Sequence, residues 1–201
     1  MTESNKGRLN QRRRTRNDLL TAAGRLLKAG KKPTMEDVAE EALVSRATAY
    51  RYFPNMEELL VEAPIHVNVP IPEEIFNGDV PDDPEERIDL AEAVLHDMIY
   101  RNEAQLRVML MNSLKLWLNS DSPTVPVRQS RRTHLIETAL APVRDELGEE
   151  KFEKLSAALS VFFGPEAMIV YRDVCPLDED KARTVKSWAV RALVRAALSE
   201  T

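Results

Sequence analysis

The sequence predicts an all-α protein of about nine helices, a small helical unit followed by a larger one. Three observations carry this. Apolar residues recur at three- and four-residue spacing in nearly every segment, the mark of helices with one buried face. The segments are separated by helix stops: Gly30, Pro54, the prolines between 64 and 84, Pro123 and Gly148. Strand-like alternation is confined to Ile65, Val67, Val69 and Ile71, inside the proline-rich break, and no internal repeat is present.

Taken in order, residues 1–11 read as disordered. From about Arg12 to Ala29, Leu19, Ala22, Ala23, Leu26 and Leu27 give a first helix, and Gly30 stops it. Thr34 caps a second, with Asp37 three residues on in the place of the usual capping-box glutamate and Met35, Val38, Ala39 and Ala42 as its inward stripe. Ser45 caps a third that ends at Phe53. Asn55 caps a fourth, whose first turn holds Glu57 and Glu58 against the positive helix end and which Pro64 is expected to stop. Residues 64–83 form a proline-rich connector, expected to lie extended on an apolar surface. Pro84 then opens a helix over about 85–101, and others follow over about 103–118, 126–147, 150–172 and 179–199, the fourth of these kinked at Gly164-Pro165. The domain division that results is 1–63, 64–83 and 84–201.

Composition narrows the class. With 43% hydrophobic and 30% charged residues the chain is globular, and no apolar run approaches the roughly 20 residues that span a bilayer. The basic N-terminus has no apolar stretch after it, so it does not read as a secretory signal. The single cysteine, Cys175, forbids an intrachain disulfide and fits a reducing, cytoplasmic setting. The net charge of −5 is unevenly spread: 12 basic and 9 acidic residues lie through Ala63, 16 and 24 beyond it. A polyanion is attracted to one end and repelled by the other.

The segment from Thr34 to Leu60 is the most specific in the chain. A helix as short as Arg46–Tyr52 does not hold alone. Backed by two others, it presents Arg46, Thr48, Tyr50, Arg51 and Tyr52 outward, and a DNA major groove admits a helix of that width. The run Asp37-Val38-Ala39, Val44-Ser45, Thr48, Tyr50-Arg51-Tyr52-Phe53-Pro54 and Glu57-Glu58-Leu59-Leu60 resembles the helix-turn-helix domain of the TetR family of bacterial one-component transcriptional regulators. The resemblance covers about residues 12–63 by motif. It implies an all-helical C-terminal domain for ligand binding and dimerisation. Three positions depart from the family pattern: Leu43 stands where the turn usually has glycine, Met56 where a phosphate-contacting lysine is usual, and Pro64 inside the linking fourth helix.

The residues support specific contacts. Ser45, Arg46 and Thr48 lie at the N-terminal end of the third helix, which enters a groove first. Arg46 suits a guanine edge and Thr48 a base or a thymine methyl. Tyr50, Arg51 and Tyr52 suit phosphates, as does Thr34 with its hydroxyl and helix-end N–H groups. Arg12, Arg13 and Arg14 suit the backbone or the minor groove.

One such helix reads too few base pairs for selectivity, so a homodimer on a palindromic double-stranded operator is expected. Phe152, Leu155, Leu159 and Phe162, with Trp188, Ala192, Leu193 and Ala196, are the expected interface, as the resemblance also implies. His96, Tyr100, Met109, Trp117, His134, Phe163, Met168 and Tyr171 are candidates to line a pocket for a small-molecule effector. With three histidines and no Glu-x-x-His pair, no metal site is expected. No cofactor motif or catalytic signature appears, so no enzyme is expected. Two rival readings remain at this point: a helix-turn-helix dimer without an effector, and a helical adaptor that has lost DNA binding.

Overall fold

The computed structural model describes residues 3–118 and 131–199, without the side chains of 3–10 and of residues 13, 67 and 116. Among the described residues the secondary structure is helical throughout. The chain forms two compact units, Met1–Asn68 with Ala104–Gln129, and Val69–Glu103 with Ser130–Thr201.

In the first unit α1 spans Glu3–Lys28, α2 Met35–Glu41, α3 Arg46–Tyr52, α4 Met56–Asn68, and α7 runs Glu103–Leu118. α1 packs on α2 and α4, and α2 on α3. Leu19, Leu20, Ala23, Val38, Ala49, Phe53, Leu59 and Ala63 fill the core, each at most 3% exposed. Both turns are closed by the same device. Gly30 N–H donates to Leu27 O and Lys31 N–H to Leu26 O at the end of α1. Leu43 N–H donates to Glu40 O and Val44 N–H to Ala39 O at the end of α2. The device needs a left-handed residue, supplied by Gly30 (φ 73°) and, although it is not a glycine, by Leu43 (φ 54°), so the turn keeps the shape a glycine would give it.

Two expectations fail here. Residues 3–11 continue α1 rather than lying disordered. α4 runs through Pro64 to Asn68. An internal proline costs about 3 kcal/mol. Against that, Ala63 and Ile65 are fully buried on either side of it, and the His66 ring lies 3.0 Å from the Thr21 hydroxyl of α1. Packing therefore outweighs the proline, and the connector is helical at its start. It also contains α5, Pro72–Ile75, so it is not extended throughout.

In the second unit α6 (Pro84–Arg101) is central, packed on α11 (Glu179–Ser199) and α8 (Arg131–Leu140). α9 (Arg144–Leu159) packs on α8 and α11, and α10 (Pro165–Ile169) on α6. Helices expected over 126–147 and 150–172 are divided differently. A 3-10 turn at Ala141–Val143 separates α8 from α9, Gly148 breaks the helical path inside α9 (φ 71°), and α9 stops at Leu159. Pro165 starts α10 in place of a kink, and a π turn at Val170–Val174 follows. The break expected at Ser120–Pro123 lies outside the described residues.

α6 and α11 run antiparallel and are joined by four acid–base rungs. Glu85 pairs with Arg195, Asp89 with Arg191, Glu92 with Lys186 and Asp97 with Arg183. Glu92 and Lys186 are fully buried, the other three partly open to solvent. Burial pushes the Glu92 carboxyl up and the Lys186 ammonium down, each opposed by the other's charge. Arg87 closes the end of α8 by donating to Ala139 O (2.8 Å) and Thr138 O (3.3 Å), with its guanidinium over the Phe76 ring.

Candidate nucleic-acid interface

α3 is two turns long and has two unlike sides. Ala49 is buried and Tyr52 is half-buried against the core of the first unit. Arg46, Ala47, Tyr50 and Arg51 stand in solvent. The helix starts at Ser45, whose Oγ accepts from Thr48 N–H (3.1 Å) and lies 2.9 Å from the Thr48 hydroxyl. It ends at Phe53, whose N–H donates to Ala49 O. Phe53 is buried under the guanidinium of Arg16, 4.1 Å from its ring centre.

The structure brings four of the ten expected contact residues to this side. Arg46, Tyr50 and Arg51 are exposed and Thr48 half-exposed at its edge. The Arg46 and Arg51 guanidinium groups each lie 5.5 Å from a tyrosine ring, Tyr50 and Tyr52 respectively. Arg12 and Arg14 are exposed on α1; the Arg13 side chain lies outside the described residues.

Thr34 does not offer what the sequence reading expected. Its N–H and hydroxyl both donate to Asp37 Oδ2, at 2.7 and 2.8 Å, and its Oγ1 accepts from Asp37 N–H. The reciprocal cap uses the groups expected to meet a phosphate, and it places a carboxylate beside them. The backbone hydrogen bond from Thr34 holds that carboxyl below its ordinary value, so it stays charged.

Two residues that matter here were missed. By sequence Arg16 belongs to the basic run that also holds Arg12, Arg13 and Arg14. It donates to Tyr52 O (3.0 Å) and pairs with Glu62, tying α1 to the end of α3 and to α4. Its spacing was the available signal: four residues before the buried Leu20, it shares that inward side. Glu36, in the first turn of α2, places Oε1 2.6 Å from Arg46 Nη1. Nothing local marks that contact.

The remaining candidates divide. His96 and Tyr100 on α6 stack with ring centres 4.2 Å apart, both buried, and Phe163 and Met168 are buried in the same unit with Tyr171 half-buried. His134 is instead exposed and pairs with Glu73 at 3.0 Å. Met109 and Trp117 lie on α7 in the first unit, Trp117 exposed. Of the expected interface, Phe152, Leu155 and Leu159 point into the second unit's own core, each at most 4% exposed. Phe162, Ala192 and Leu193 are half-buried, Ala196 is exposed and Trp188 is 72% exposed. Among the described residues no three His, Cys, Asp or Glu side chains cluster as a metal site. No helix there is long and apolar enough to cross a membrane.

Comparison with known proteins agrees with this geometry. Residues 19–63 match the family model described as bacterial regulatory proteins, tetR family. Among solved structures, a TetR transcriptional regulator from Rhodococcus sp. RHA1 superposes with a TM-score of 0.52 at 18% identity, covering 91% of this chain and 97% of the other. No curated protein matches the chain.

Proposed function

We propose that this chain, which belongs through its N-terminal domain to the tetR family of DNA-binding transcriptional regulators, is a repressor that binds a palindromic operator as a homodimer and is released by a small molecule. The single observation that carries the DNA reading is the two-sided build of α3. Ala49 and Phe53 fix the helix from beneath, which leaves Arg46, Tyr50 and Arg51 as a rigid polar edge in solvent. Arg46 stands at the N-terminal end, where a bidentate guanine contact is made, and Tyr50 and Arg51 meet the backbone.

Dimerisation is supported by α11. Its inward stripe is Ala182, Lys186, Val190 and Val194. A second stripe, Val185, Trp188, Ala192 and Ala196, is left open or half-open. A large indole flanked by alanines is a self-complementary surface for a close helix pair across a dyad. Effector binding is supported by the His96–Tyr100 stack. His96 Nδ1, His96 Nε2 and Tyr100 Oη are buried with no hydrogen-bond partner among the described residues. Buried polar atoms are rarely left so, and a polar ligand would satisfy them.

The test is selection of bound duplexes from a random pool by the full chain. The expected product is a palindrome with half-sites one or more helical turns apart, about 34–36 Å each. Arg46→Ala should weaken binding to it roughly ten- to a hundredfold. Enrichment of no palindrome, or unchanged binding by the variant, rejects the reading.

A further inference from the structure

We propose that Glu36 is a positioning residue for sequence discrimination: it holds Arg46 off the phosphate backbone, so that the guanidinium is released to a guanine edge and not to any duplex. The proposal rests on the reading of α3 as the base-reading helix.

Glu36 and Arg46 come from different helices and meet in solvent, with 51% and 62% of their side chains exposed. A carboxylate on a surface that must approach a polyanion opposes binding. Capping does not require it, since Thr34 and Asp37 complete the cap of α2 between themselves. Nor does the pair hold the fold, because exposed ion pairs contribute little stability. Its effect is therefore on what Arg46 does next. The guanidinium lies beside the Tyr50 side chain, and from there its flexible stem can take it to Glu36, a phosphate, or the O6 and N7 of a guanine.

A phosphate contact adds affinity for every sequence and sharpens the salt dependence, each one steepening the log–log slope by about 0.9. A guanine edge adds affinity only where the base is right. An internal carboxylate competes on equal terms with a single solvent-exposed phosphate, since both are one negative charge in water. It competes poorly with a bidentate guanine edge inside a groove. Glu36 thus lowers binding to wrong sequences more than to the right one, and specificity is that difference.

The experiment measures fluorescence anisotropy of the full chain with two labelled duplexes, the selected palindrome and a scramble of the same composition, over a potassium chloride series. For Glu36→Gln, affinity for the scramble should rise about fivefold near 0.15 M salt and its slope steepen by about one. Affinity for the palindrome should stay within about threefold, so their ratio falls. In an Arg46→Ala background Glu36→Gln should add only the small, sequence-independent gain of removing one negative charge. An unchanged scramble, an equal rise on both duplexes, or an equal gain with Arg46 absent overturns the proposal; the last outcome means bare charge repulsion. If Arg46→Ala alone leaves palindrome binding intact, the reading of α3 fails as well. If it weakens palindrome binding while Glu36→Gln changes nothing, only the role of Glu36 fails. Glu36 is exposed, and matching thermal unfolding of the variant shows that the fold is intact.

Discussion

Leu43 spends its side chain on nothing. It is 93% exposed and its backbone sits at φ 54°, where an L-residue with a Cβ is strained by about 1–2 kcal/mol. Glycine relieves the strain but loses about 0.5–1 kcal/mol to a freer unfolded chain. Leu43→Gly should therefore stabilise the protein by about 0.5–1 kcal/mol in urea titration, and equal or lower stability would mean the turn relaxes by another route. The position of that turn was legible in the sequence, but a leucine there argued for a different turn shape, and the left-handed state is set by the packing of α2 and α3 on either side. The state of Thr34 was half legible. The capping pair with Asp37 could be read from their spacing, but not that the pair would use up the groups expected to face DNA. Glu36 and Arg46 stand ten positions apart on separate helices, and only the angle between α2 and α3 brings them together.

Helices whose ends carry a local stop came out where the sequence placed them. α7 and α11 match residue for residue, and α6 begins at Pro84 as its cap demands. Of the misplaced ends, one is where burial overrides a local signal and another is where Gly164-Pro165 starts a helix instead of bending one. Pro64 is carried inside α4 by Ala63, Ile65 and the Thr21 contact, and the stretch after Leu159 breaks into α10 and a π turn. The α6–α11 rungs were not read at all, since acid and base lie far apart along the chain and only antiparallel packing aligns them. The inner rung has a measurable signature. Lys186→Met leaves the Glu92 carboxylate buried without its partner and should cost about 3–5 kcal/mol. Adding Glu92→Leu should recover most of that loss in the same urea titration. A double variant no better than the single one would show that packing, not the lone charge, sets the cost.

Across the whole molecule, charge and pH act together. The excess of base through Ala63 and of acid beyond it favours approach of DNA to the N-terminal unit. His96 gives the chain an acid limit. Burial, then the charges of Lys186 and Arg183, lower its pKa to about 3, while Asp97 opposes them. The folded value lies below the unfolded one, so its contribution is complete above about pH 6.5 and is lost as pH falls towards 3. Between pH 8 and 5 this group alone should lower stability by about 2 kcal/mol, and His96→Gln should flatten that slope. An unaltered pH profile in the variant would place the acid sensitivity elsewhere. The rungs between α6 and α11 have a consequence of their own. They are unevenly spaced along both helices and behave as a vernier. A slide of one turn sets Arg191 against Glu85 but puts Lys186 beside Ile88, an ammonium against a hydrocarbon. The four pairs therefore favour the observed register of the two helices over the one a turn away.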